Sequence, residues 1–314
     1  MFENIIKRIV DCPSIIIVGH IRPDGDCYGC QVALKEAIKD AFPNKEVYIV
    51  GQGLPFLFNE LLPMDDVDEN IVKKSLIVIV DLHELHRTDN ELVQKYGNDF
   101  VALDHHIKCC DIPYEYYIDP DASSACEIVS RLILEANWPI NPKCASALYL
   151  GIVTDTARFQ YLDNFANVHR LSAMLCEKGA KPKIIQRLLA LSPESKLITQ
   201  GYILTHYQKR DGVIYVHLTQ DELKKINANV SVGSLVVNLI GNIYDYPIWC
   251  TFVDNEVGSL VVEARSNKFN VCSVMSKYGG GGHRLAAGVT IKNATSQDME
   301  NLINDLCDLI KGMY

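Results

Sequence analysis

The chain has 314 residues, 48% of them hydrophobic, with 39 acidic against 30 basic residues and a formal net charge of -9. That length suits two domains of ordinary size with sizeable cores. The acidic balance excludes a broad basic face for duplex DNA, though a local anion pocket stays open, and no apolar run is long enough to span a bilayer.

Residues 2–11 read as a short amphipathic helix without a signal-peptide pattern. Residues 14–19 form a β-branched run that suits a strand buried on both faces. The loop behind it carries His20, Asp24 and Asp26, with Pro23 and Gly25 bending its path. Residues 27–42 have helical spacing, and strands are expected at 46–50, 76–80 and 100–103. The third of these four strands delivers Asp81, and the fourth delivers Asp104, His105 and His106. Helices are expected at 123–137, capped by Ser123 or Ser124, and at 142–153, leading to Asp155 and Arg158. Further helices are expected at 165–178, 182–191 and 194–207, with Ser192-Pro193 as a break. The alternation describes a mostly parallel α/β sheet, whose ligand crevice lies beyond the carboxyl ends of the strands.

From Gly212 the texture changes to a second, smaller α/β domain. Strands are expected at 213–218, 248–253, 259–264 and 289–292, and helices at 232–240, 272–278 and 296–310, with Asp221 capping a further short one. Between them runs a GGGGH loop at 279–283. The boundaries are expected at 1–190 for the first domain, 191–205 for a linker, and 206–314 for the second.

Six carboxylates and imidazoles, His20, Asp24, Asp26, Asp81, His105 and Asp155, gather at strand ends with Asp104 and His106. The carboxylates repel one another unless cations lie between them. The set is too rich for one ordinary site and fits two divalent cations sharing a bridging carboxylate. Imidazoles among carboxylates favour Mn2+, with Mg2+ or Co2+ as alternatives. His83 and His86 stand just after Asp81 and read mainly as surface or supporting residues. In the glycine loop, Gly280, Gly281 and Gly282 let backbone N–H groups approach an anion, with His283, Arg284 and Arg265 as further donors. The 11 cysteines are scattered, mostly in apolar company, and read as reduced thiols of a cytoplasmic protein.

Asp104-His105-His106, the HIRPDGD run at 20–26, Asp81 and Asp155 in TDTARF together resemble the DHH phosphoesterase superfamily. GGGGHRLAAG at 279–288 resembles the signature of the DHHA1 domain. Within the superfamily the chain is similar to the oligoribonuclease and pAp-phosphatase group, the NrnA-like proteins. The resemblance implies a DHH domain followed by a DHHA1 domain, with the active site in the interdomain cleft. It implies that His20, Asp24 and Asp81 hold one Mn2+, and that Asp26, Asp81, His105 and Asp155 hold the other. The resemblance further implies that Asp81 bridges and takes part in catalysis, that Asp104 supports the site, and that His106 faces the scissile phosphate. Arg158, Arg265, Gly280, Gly281, Gly282, His283 and Arg284 are the expected substrate contacts. The implied substrates are short oligoribonucleotides, pAp and dinucleotides such as pApA; a homodimer is allowed. Rival readings are a cyclic di-AMP phosphodiesterase, a manganese pyrophosphatase-like enzyme, and a nucleotide sensor without catalysis. Cys27, beside the metal ligands, also raises the expectation of redox-sensitive activity.

Overall fold

The computed structural model describes residues 1–54, 63–108, 110–162, 164–191, 194–255 and 258–312. The chain divides into two compact units, Met1–Leu191 and Ser192–Tyr314.

The first unit runs α1 (Glu3–Asp11), β1 (Ser14–Val18), α2 (Gly25–Ala41), β2 (Glu46–Val50), α3 (Glu69–Lys74), β3 (Leu76–Val80), α4 (Glu91–Tyr96), β4 (Phe100–Asp104), β5 (Glu115–Ile118), α5 (Ala125–Glu135), α6 (Pro142–Asp155), α7 (Phe165–Glu177) and α8 (Pro182–Ala190). Its five strands are all parallel, in the order β2-β1-β3-β4-β5. The unbroken apolar runs have a physical reason. Ile15 and Ile17 of β1 pack with α1, α2, α5 and α6, while Ile16 and Val18 face the layer of α3 and α4. Complete burial of each such side chain contributes about 1.5–3 kcal/mol. The strand order reverses between β1 and β3, which makes the carboxyl ends of those strands the natural ligand crevice.

The second unit runs α9 (Glu194–His206), β6 (Gln208–Arg210), β7 (Val213–Leu218), α10 (Gln220–Lys225), α11 (Val232–Val236), β8 (Ile248–Asp254), β9 (Leu260–Ser266), α12 (Val271–Lys277), β10 (Gly281–His283), β11 (Ala286–Ile291) and α13 (Ser296–Lys311). Its six strands follow the order β10-β11-β9-β8-β7-β6. Among these strands only the β7–β8 pair is parallel. Ile248, Cys250 and Phe252 of β8 face α12 and α13, and Trp249 and Val253 face a separate core with Val232, Val236 and Ile203.

Several expectations are corrected. Asp26 lies inside α2, not in the preceding loop: Asp24 is the N-cap, its Oδ1 accepting from the N–H groups of Asp26 (2.9 Å) and Cys27 (3.1 Å). Thr219 caps α10 rather than Asp221, because its hydroxyl and the Glu222 carboxylate satisfy each other's backbone N–H groups. The residues 281–283, expected as loop, form an edge strand paired with β11. Within the 191–205 stretch, Leu191 ends the first unit, and α9, which starts at Glu194, groups with the second. The break at Ser192-Pro193 and the first member of the Cys109-Cys110 pair lie outside the described residues. The ten described cysteines are free. Among the described residues no helix is long and apolar enough to cross a membrane.

Candidate metal centre

The centre is built on Asp81, the residue that leaves β3. Its backbone sits in the left-handed region at φ 60°, and its N–H donates to the Leu103 carbonyl at 2.9 Å. Aspartate adopts this conformation more readily than most residues, at a cost of about 1–2 kcal/mol. The turn sinks the carboxylate, leaving the residue 3% exposed. Oδ2 lies 3.3 Å from His20 Nε2, which is in turn 4.0 Å from Asp24 Oδ1. Oδ1 lies 3.5 Å from His105 Nε2, which is also 3.5 Å from Asp155 Oδ2 and 3.9 Å from Asp26 Oδ2. One carboxylate therefore faces two groups of donors, one through each oxygen.

Helix ends hold the other carboxylates. Asp26 is pinned by the N-terminus of α5, where the Ala125 and Cys126 N–H groups donate to Oδ2 (2.6 Å) and Oδ1 (2.9 Å). Asp155 is the last residue of α6. The chain then turns sharply, with Ala157, Arg158 and Phe159 at φ 47°, 60° and 66°. Thr156 closes that turn, its Oγ1 donating to the Ile152 carbonyl (2.6 Å) and accepting from Phe159 N–H (3.0 Å).

The donor set fits divalent cations. Asp81 Oδ1 is buried and accepts no hydrogen bond from the described residues, an expensive state for a carboxylate oxygen. The cluster demands positive charge and draws it from its histidines. Burial opposes charge on His20, but the Asp81 carboxylate and neighbouring groups outweigh it, pushing the imidazole up to about 12. The same balance pushes His105 up to about 11. Burial, then the nearby Asp81, pushes Asp26 up to about 7. A bound divalent cation relieves the same repulsion without those protons.

Asp104 is separate in role. It is wholly buried, with Oδ1 2.7 Å from His106 Nδ1 and Oδ2 2.5 Å from His83 Nδ1. Burial opposes its charge, yet the His106 and His83 hydrogen bonds hold its carboxyl well below the usual carboxylate range. Of the two readings the sequence leaves for His83, surface or supporting residue, the structure shows the second: it is buried against Asp104. The DLHELH spacing was its only signal.

Cys27 is fully buried beside His20 and Asp81, and burial pushes its thiol up to about 11. Burial shields this sulfur from solvent.

Within the second unit, His283, Ala286 and Arg265 stand in register across β10, β11 and β9, and so share one sheet face. Arg265 Nη1 bonds Glu263 Oε2 at 3.0 Å, and Arg284 is exposed in the hairpin turn. The glycines differ. A Cβ on Gly280 would lie 2.3 Å from the Gly288 carbonyl, and Gly282 holds φ 134° against the Ala286 carbonyl, so the hairpin itself requires both. At Gly281 a Cβ would meet none of the described residues within 4 Å. In the first unit, the exposed Arg158 guanidinium donates to the Leu189 carbonyl at 3.2 Å.

A parallel α/β sheet with this carboxylate–imidazole cluster at its carboxyl edge, followed by a mixed-sheet unit, defines a metal-dependent phosphoesterase. Residues 14–152 match the DHH family, N-terminal domain, and residues 210–312 match the DHHA1 domain. The chain belongs to the DHH/DHHA1 family. The bifunctional oligoribonuclease and PAP phosphatase NrnA of Mycoplasma genitalium is 33% identical over 306 residues, covering 96% of this chain and 95% of that protein. The probable bifunctional oligoribonuclease and PAP phosphatase NrnA of Streptococcus mutans is 30% identical over 313 residues and 99% of both chains. The crystal structure of an exopolyphosphatase-related protein from Bacteroides fragilis shares the fold, with a TM-score of 0.87 at 22% identity over 99% of this chain and 96% of that one.

Proposed function

We propose that this enzyme is a Mn2+-dependent hydrolase that cuts short oligoribonucleotides to 5′-mononucleotides and removes the 3′-phosphate of pAp to give AMP. The observation that carries the hydrolytic reading is the buried Asp81 carboxylate, shared between two donor groups, with no described residue donating a hydrogen bond to Oδ1. The choice of substrate is supported by near-full-length similarity to the two NrnA proteins.

His20 and Asp24 complete one donor group around Asp81, and Asp26, His105 and Asp155 complete the other. These residues would hold two divalent cations, with Mn2+ suited to the mixed imidazole–carboxylate set, which would supply an activated water and neutralise charge on the phosphoryl oxygens. His106 donates to an oxygen of the scissile phosphate, and Asp104 fixes that ring. Arg265, His283, Arg284 and the glycine backbone at 280–282 hold the remaining phosphate and nucleotide, and Arg158 is a further phosphate contact in the first unit. The partners are short RNA or dinucleotides rather than duplex DNA.

Product analysis with added Mn2+ tests the reading on pAp, pApA, a pentanucleotide RNA, cyclic di-AMP and pyrophosphate. Mononucleotides from pApA and the pentanucleotide, with AMP from pAp, are expected. Preferential opening of cyclic di-AMP, or turnover of pyrophosphate alone, overturns the substrate assignment. His283→Ala is expected to lower kcat/KM for pApA by about 10- to 100-fold, the worth of a hydrogen bond to a charged group. Mn2+ per chain should stay at the wild-type value; its loss in this variant would contradict the division of labour between the units.

A further inference from the structure

We infer that His83 is a positioning residue which, through Asp104, holds the His106 ring for contact with the phosphoester. The inference rests on the function proposed above. His83 is 4% exposed, in the segment that follows Asp81. Its backbone is fixed from outside: the Tyr114 hydroxyl donates to the His83 carbonyl at 2.7 Å. Its ring Nδ1 meets Asp104 Oδ2 at 2.5 Å. The other oxygen of that carboxylate, Oδ1, meets His106 Nδ1 at 2.7 Å and the His106 backbone N–H at 3.1 Å. Asp104 is thus gripped at both oxygens, with one imidazole on each.

The second grip matters because two carboxylates compete for His106. Asp81 Oδ1 lies 3.8 Å from His106 Nδ1, against 2.7 Å for Asp104 Oδ1. A carboxylate held at a single oxygen can turn about its terminal bond, and Asp104 would then present His106 with a poorer acceptor. The ring would drift toward Asp81, whose oxygens serve both donor groups. His83 therefore keeps two functions apart: Asp81 stays with the metal-binding donors and His106 stays with Asp104. Side chains that orient a reacting group in this way are typically worth about 10- to 100-fold in activity.

The test uses full-length protein and the phosphoester that the wild-type chain hydrolyses. His83→Ala is expected to lower kcat by about 10- to 100-fold with KM and Mn2+ per chain unchanged. His83→Asn, whose amide nitrogen stands near the lost Nδ1, should recover most of the rate; His83→Gln, with its amide displaced, should not. In a His106→Ala background His83→Ala should cost nothing further, because the two act in series. Crystal structures of wild type and His83→Ala should differ at His106, whose ring turns away from Asp104 or takes two orientations in the variant. Wild-type kcat with an unmoved ring in His83→Ala, loss of Mn2+, or a full additional loss in the His106→Ala background would each overturn the inference. If the wild-type chain hydrolyses no phosphoester, the proposed function falls, and the paired crystal structures still decide the role of His83.

Discussion

Asp81→Asn is expected to reduce Mn2+-dependent hydrolysis by at least about a thousandfold while leaving the chain folded. The substitution keeps the shape of the side chain, so the packing at the end of β3 is retained. It removes the charge that both donor groups share through Oδ1 and Oδ2. In the metal-free chain burial and the nearby Asp26, Asp24 and Asp155 oppose that charge, but the His105, His20 and His106 imidazoles outweigh them and hold the Asp81 carboxyl well below the usual carboxylate range. Metal-free Asp81→Asn should therefore melt somewhat below metal-free wild type at neutral pH, because it loses that paired charge. Added Mn2+ separates them further. A ligand at about 1,000 times its dissociation constant stabilises the native state by about 4.1 kcal/mol, so wild type should show a clear rise in Tm. The variant should show little or none. Thermal unfolding with and without Mn2+, with metal content after gel filtration, is the measurement. Wild-type Mn2+ stoichiometry in Asp81→Asn would remove Asp81 from the centre of the site.

Much of this site was legible in the sequence because three buried strands end abruptly in Asp or His. A β-branched run marks β1 and β3 clearly, and the residue after such a strand falls at the sheet's carboxyl edge. The partners of those residues were not legible. Asp104 meets His83 across 21 positions only because β3 and β4 are neighbours in the sheet. Asp26 meets the N-terminus of α5 across about 100 positions, which no local pattern reveals. The missed elements are short. The helices Glu69–Lys74 and Glu91–Tyr96 have six residues each, too few to establish a period. The edge strand Glu115–Ile118 shows no alternation, since no residue in it is fully buried. Gly281–His283 is a strand because β11 pairs with it, while its glycines carry no strand preference of their own.

Gly151→Ala is expected to destabilise the first unit by about 1–3 kcal/mol and to lower kcat/KM by about a hundredfold. A Cβ at Gly151 would lie 2.2 Å from Cys126 Sγ and 2.6 Å from Asp26 Oδ1. Neither neighbour can yield freely. Cys126 is fully buried with its sulfur 3.5 Å from Cys30 Sγ, and Asp26 Oδ1 is held by the Cys126 N–H. The same crowding runs along α2 and α6, where a Cβ on Gly29 would sit 2.5 Å from the Ala147 carbonyl. The glycines let two helices approach closely enough to bring Asp26 near Asp155, so the methyl group moves a carboxylate of the candidate centre as well as straining the core. Cys126→Ala in the Gly151→Ala background separates these effects. Removing the sulfur should recover much of the stability, while the methyl–carboxylate clash keeps Mn2+ affinity and activity depressed. Gly201→Ala on α9 is the control, because its Cβ meets none of the described residues within 4 Å, and a gain of about 0.5–1 kcal/mol is expected there. Denaturant unfolding and Mn2+ titration of the four proteins decide the matter. Wild-type stability and Mn2+ affinity in Gly151→Ala would mean that the helices can part without disturbing Asp26, and that close packing of α2 on α6 does not set the geometry of the site.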